Sequence, residues 1–222
     1  MTSPGDPASR QSDSPGPASG RDTNAPLSGD RAVADADTRA AATRDVNIAT
    51  APPLPVEPDT ANVRLGPEID EAVLALLPLV GIWRGTGRFG NEPGERAPQF
   101  GQQITFAHDG RAFLRYESIL WLLDDAGGVT GPGPREAGWL RPRPDAPGSF
   151  TFDIAYSEGG TASYSVTTPA LTRWDCAGAT GSRMYGVTPD GRLAYVDERL
   201  DLNDTAGEPA PYASAALERI AG

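Results

Sequence analysis

From Trp83 onward, apolar and polar residues alternate with a period of two, in short runs separated by turn-forming groups. The runs are Trp83–Phe89, Phe100–Ala107, Ala112–Trp121, Glu136–Arg141, Ser149–Tyr156, Thr161–Thr167, Ala170–Asp175, Arg183–Thr188, Arg192–Leu200 and Tyr212–Arg219. Asn91-Glu92-Pro93-Gly94 breaks the first two, Asp109-Gly110 reads as a tight hairpin turn, and Pro189-Asp190-Gly191 as another. No helical pattern separates these runs, which argues against a parallel α/β sheet. About ten antiparallel strands in one domain predict an all-β, up-and-down barrel, which removes sheet edges and can enclose a small-molecule cavity.

One helix is predicted before the strands. Pro67 opens it, Glu68, Asp70 and Glu71 favour its positive end, and Ile69, Val73 and Leu76 share a face before Pro78 closes it. So short a helix does not persist alone, which places it across the mouth or base of the barrel. Upstream the pattern vanishes. Every Trp, Tyr and Phe lies at or beyond Trp83, and the first sixty residues are crowded with Pro, Gly, Ala, Ser, Asp and Thr. Such a stretch buries too little apolar surface to offset its ordering entropy. Residues 1–64 therefore read as a disordered tail and 65–222 as the barrel domain.

Composition narrows the chemistry. The formal charge is −11 and the sequence pI about 4.5, so phosphate is repelled and a nucleic-acid partner is not expected. All nineteen basic residues are arginine, which removes P-loop lysines, Schiff-base catalysis and pyridoxal anchoring. One histidine, His108, excludes multi-histidine metal sites, and one cysteine, Cys176, excludes a disulfide framework or a Cys-x-x-Cys motif. Cys176 reads as a structural thiol, with a His108-assisted nucleophile as the alternative. No signal-peptide core and no apolar run of membrane-spanning length is present, so a cytoplasmic protein without a membrane partner is expected.

Four other motifs carry no site. Gly85-Thr86-Gly87-Arg88-Phe89-Gly90 fits the dinucleotide fingerprint, yet a turn follows it where a helix is needed. Asp124-Asp125 and Asp197-Glu198 are sequence neighbours on strands, so each pair points to opposite faces and forms no catalytic dyad. Asn203-Asp204-Thr205 would be a glycosylation acceptor only in a secreted protein.

The informative line is Gly81-Ile82-Trp83-Arg84-Gly85-Thr86-Gly87, a G-x-W-x-G-x-G motif opening the first strand. Glycines there permit bending and close approach where a barrel shuts, and Trp83 can plug one end. With this motif the chain resembles the nitrobindin family of ten-stranded barrels, shaped like fatty-acid-binding proteins. Residues His108–Tyr116, Glu136–Arg141 and Asp190–Tyr195 add to a resemblance over about residues 68–219. It implies haem b in the barrel mouth on one proximal histidine, reversible nitric oxide binding by the ferric iron and, in some members, isomerisation of peroxynitrite to nitrate. The family's last strand opens with that histidine in a motif like H-L-x-A-x-L-x-R. Here the strand reads Tyr212-Ala213-Ser214-Ala215-Ala216-Leu217-Glu218-Arg219, so Tyr212 occupies the histidine position. His108, at a hairpin, matches a second family histidine and reads as structural.

Three functional readings follow. The leading one is a non-enzymatic barrel without cofactor or bound metal, whose pocket takes a small hydrophobic ligand. The second is a haem b protein with nitric oxide or peroxynitrite chemistry, either through Tyr212, since tyrosinate can ligate ferric haem once deprotonated, or through another non-histidine ligand or no protein ligand at all. The third is a scaffold acting through its tail.

Overall fold

The computed structural model describes residues 29–44, 54–90, 97–200 and 209–222. Two compact units divide the chain, Met1–Pro53 and Leu54–Gly222. In the first, an α-helix (α1) spans Gly29–Thr43 and buries none of its residues. The hydrophobic pattern did not predict it. Its alanines supply helix propensity without an apolar stripe, a signal that the search for packed faces passes over.

The second unit is a closed barrel of ten antiparallel strands. In chain order these are β1 (Gly81–Phe89), β2 (Gln99–Ala107), β3 (Leu114–Leu123), β4 (Val129–Pro142), β5 (Phe150–Tyr156), β6 (Thr161–Ala170), β7 (Arg173–Gly178), β8 (Gly181–Val187), β9 (Leu193–Arg199) and β10 (Ala210–Ala221). Each pairs with its neighbour in sequence, and β10 closes onto β1. The up-and-down order read from the pattern is therefore the observed one. The β2–β3 connection is longer than a two-residue turn, because the chain around His108 is engaged elsewhere. The turn-like Asn91–Gly94 and Asn203–Thr205 lie outside the described residues.

Closure requires the glycines of β1. A Cβ on Gly85 would stand 2.6 Å from the Ala216 carbonyl oxygen of β10, and one on Gly87 would stand 2.3 Å from Cζ of Phe100. Neither space admits a side chain.

The barrel has a sealed base and an open mouth. The predicted helix lies across the base, as a 3₁₀ helix over Glu71–Leu79. It starts later than Pro67 because Asp70 caps it, accepting from Ala72 N–H at 2.8 Å. It continues through Pro78, which lies inside the run, before Val80 N–H donates to Leu77 at 3.1 Å. Val73, Leu76 and Leu79 point into the barrel, fully buried. Two indoles fix the helix: Trp83 Nε1 donates to Leu79 O at 2.8 Å and Trp174 Nε1 to Ala75 O at 3.0 Å. The Arg219 guanidinium lies 4.1 Å over the Trp83 ring and donates to the carbonyls of Pro78 and Val80.

The compact unit begins at Leu54, ahead of the boundary placed at residue 65. Thr60 explains the difference. Its backbone N–H and C=O pair with those of His108 at 2.8 and 2.9 Å, and Asp59 bonds Arg115. These contacts are polar, so an apolar pattern carries no trace of them. His108 itself is fully buried, and neither ring nitrogen has a partner among the described residues. The histidine read as structural is thus packed inside without a side-chain hydrogen bond among the described residues. Burial lowers its pKa, against the opposing pull of Asp109 and Asp59.

Two outcomes test this account of the base. Trp83→Ala should cost roughly 3–5 kcal/mol in denaturant unfolding, the range for truncating a buried large aromatic. Removing residues 1–53 should leave the melting temperature within about 2 °C, whereas removing 1–64 should lower it distinctly, because His108 loses its strand partner.

Candidate functional site

The mouth opens into a cavity of about 510 Å³. Phe89, Leu120, Tyr156, Ala162, Tyr212 and Ala213 supply its apolar wall, and its floor is charged.

Strand alternation puts that charge inside. Arg183 has the phase of Tyr185 on β8, Asp197 the phase of Leu193 and Tyr195 on β9, and Glu136 the phase of Leu140 on β4. Arg183 and Asp197 are direct cross-strand partners. The Arg183 guanidinium reaches across the barrel to grip Glu136 in a fork, Nη1 to Oε2 at 2.8 Å and Nη2 to Oε1 at 3.1 Å. Its Nη2 also donates to Asp197 Oδ2 at 2.7 Å. Arg199 adds a second cation from above, donating to Asp197 at 2.8 and 3.1 Å and to Glu136 at 3.2 Å. Tyr116 donates its hydroxyl to Glu136 at 2.7 Å. A neutral chain continues beside the ions: Tyr195 OH donates to Gln102 at 2.9 Å, and Gln102 to Ser118 at 2.9 Å.

Burial would raise the Glu136 carboxyl, but Arg183 beside it outweighs burial and holds it below the ordinary value. Burial likewise works against the charge of Arg183, and the surrounding Glu136 and Asp197 keep it fully protonated. The carboxylates of Glu136 and Asp197 thus lie between two guanidiniums, with Asp197 Oδ1 and Arg183 Nε left without a hydrogen-bond partner among the described residues. Asp197 and Glu198 do face opposite ways: Glu198 accepts from Ser182 Oγ at 2.8 Å. Asp124 closes the β3–β4 turn by accepting the N–H groups of Ala126 and Gly128 at 2.9 and 2.7 Å.

Tyr212 stands at the rim. Inward positions on β10 are Ala213, Ala215 and Leu217, so strict alternation would turn residue 212 outward. A bulge prevents this. Pro211 pairs with Glu198 and Ala213 with Asp197, which leaves Tyr212 without an opposite number on β9 and free to face the mouth beside Ala213. Its carbonyl accepts from Gly90 N–H at 2.7 Å. The ring sits edge-on to Phe89 at 5.8 Å, and the Arg199 guanidinium covers it at 3.7 Å. The same guanidinium lies 5.2 Å over Tyr156. Burial raises the Tyr212 phenol above its ordinary pKa, with Arg199 opposing.

The structure separates the other candidates from this site. Gly81, Trp83, Gly85 and Gly87 belong to the base and the β1–β10 seam, and His108 to the base, at the far end of the barrel. Cys176 faces inward from β7, its thiol pushed up to about 12 by burial, so it is an inert structural thiol. No group of three or more metal-ligating side chains occurs among the described residues, and none of their helices could cross a membrane. The charged floor is what sequence reading missed. Its signal was present as three ionisable residues in the phase of core tyrosines and leucines.

The family described as "THAP4-like, heme-binding beta-barrel domain" matches residues 72–219. A ferric nitrobindin-like protein of Saccharopolyspora erythraea is 44% identical, over 88% of this chain and 95% of that protein. Peroxynitrite isomerase 2 of Rhodococcus jostii is 40% identical, over 88% and 98%. Among solved structures, Rv2717c from M. tuberculosis superposes with a TM-score of 0.55 at 24% identity, covering 68% of this chain and 99% of that one; it shares the fold.

Arg183→Met should destabilise the barrel by roughly 3–5 kcal/mol, since it leaves buried carboxylates short of a cation. The pH dependence gives its signature. In the wild type the folded Glu136 value lies below 4.5, so its contribution is present above that pH and lost in acid. In the variant, burial prevails, the folded value rises, and stability is lost as pH rises. The deficit in urea midpoint should be larger at pH 8 than at pH 5.

Proposed function

The chain belongs to the THAP4-like, heme-binding β-barrel family, and from that premise we propose a nitrobindin-like barrel that no longer coordinates haem iron and keeps its cavity for a small apolar ligand. The observation that carries this reading is the rim of the cavity. Tyr212 occupies the position where the resemblance puts the proximal histidine, and no imidazole lines the cavity.

The residues present do not fit the group. A neutral imidazole can bind iron at neutral pH, whereas a phenol must first lose a proton. Burial pushes Tyr212 the opposite way, and the Arg199 guanidinium over its ring opposes that shift without reversing it. Cys176 stays protonated inside the barrel, and His108 is at the base. With no activated nucleophile among the residues that line the cavity, the protein is a binder without an enzymatic step. It acts in the cytoplasm, with neither a nucleic acid nor a membrane as partner.

One observation favours a second reading. Several relatives near 40% identity over most of their length carry the name peroxynitrite isomerase, so a haem-bound form with that activity is the rival.

Haem titration decides between them. The purified protein should bind haem weakly and lack the spectrum of a five-coordinate, histidine-bound ferric haem. Tyr212→His should raise haem affinity at least about tenfold and bring in that spectrum, because the bulge aims position 212 into the mouth. Stoichiometric haem in the wild type, with a nitric oxide-sensitive Soret band, would establish the rival.

A further inference from the structure

The charged floor restricts what the cavity can accept. Four ionic side chains line it: Arg183, Arg199, Glu136 and Asp197. Both guanidiniums already touch both carboxylates, at 2.7–3.2 Å. Two positive charges face two negative ones, so the floor is electrically balanced. The rim adds an acid, Glu158, and the whole chain carries −11. A carboxylate entering this space would shed its water and find no unneutralised cation. An ammonium would find no unneutralised carboxylate at the floor. At the floor, either ion would have to break a pair that holds the buried Arg183, Glu136 or Asp197, leaving a stranded charge.

What remains accessible is apolar surface and hydroxyl. Phe89, Leu120, Ala162 and Ala213 offer hydrocarbon, and Tyr156 and Tyr212 offer a ring and a hydroxyl each. Burial keeps both phenols protonated, so each can donate to, and accept from, an uncharged head group. The cavity volume falls within the range of small-molecule sites, roughly 300–1,000 Å³.

We propose that the barrel cavity selects an uncharged amphiphile, an apolar body ending in a neutral amide or alcohol, and rejects the corresponding carboxylate and ammonium. This rests on the ligand-binding reading above and names its ligand class. The balance of Arg183 and Arg199 against Glu136 and Asp197 is the selectivity element. Arg199, stacked on Tyr212 and tied to both acids, is the part of it nearest the rim.

The experiment uses the full chain at pH 7.5 and three probes with the same hydrocarbon tail: decanamide, decanoate and decylamine. Binding is measured by isothermal titration calorimetry, with thermal shift as a second readout. Decanamide should bind about tenfold or more tighter than either ion, and Ala162→Trp, which fills the cavity wall, should abolish its binding. Glu136→Gln leaves one guanidinium unneutralised and should bring decanoate binding up to or above that of decanamide. Decanoate or decylamine binding as tightly as decanamide to the wild type would overturn the neutral-ligand inference while leaving cavity binding in place. Failure of all three to bind, or decanamide binding unaffected by Ala162→Trp, would overturn the cavity reading itself. Should Glu136→Gln not fold, the wild-type ranking still decides.

Discussion

A guanidinium taken out of water inside a barrel carries a desolvation penalty of several kcal/mol, which only well-placed anions offset. Arg183 meets that condition with two carboxylates from opposite walls, Glu136 on β4 and Asp197 on β9. The rest of the interior is arranged around it. Tyr116 and Tyr185 turn their hydroxyls toward the ion, at 3.4 and 3.2 Å from Nη1, and their rings pack on Phe106 and Phe152. Arg199 then supplies the second positive charge that Asp197 and Glu136 together require. The cluster is a cross-brace between strands far apart in sequence, and its geometry fixes which part of the interior stays open.

The two ends of the barrel are built on different principles. At the base, apolar side chains of the 3₁₀ helix fill the interior, and indole and guanidinium donors satisfy the helix carbonyls. That end is sealed against both water and ligand. At the mouth, aromatic rings stand around a space they do not fill, and the ions below keep it from collapsing into a hydrophobic core. Apolar packing fills one end and open space lies at the other, with the ionic cross-brace between them.

The sequence made the barrel legible because a half-buried strand writes its two faces alternately, and ten such runs appear with turns between them. Trp83 and the glycines of β1 were readable for the same reason: rare residues in a strand must answer a local need, here closure against β10 and Phe100. The segment around Thr60 was not readable, because backbone pairing to His108 leaves no apolar trace. The ionic floor was half legible. Arg183 and Asp197 sat in the phase of tyrosines, but alternation shows only that a residue points inward, never which inward residues from distant strands meet. That depends on the barrel's register.

Tyr212 shows how much one backbone irregularity decides. Counting by twos from Leu217 and Ala215 sends residue 212 to the outside of the sheet. The bulge between Pro211 and Ala213 reverses that and brings two successive side chains to the mouth. An extra residue in a strand costs a ladder hydrogen bond, so it persists where the redirected side chain has a use. In this chain the bulge aims a phenol under a guanidinium that is itself bound to the acids of the floor. The backbone device presents a side chain coupled to the ionic cluster, so the chemistry of the mouth follows from that cluster and the group it lets Tyr212 contact.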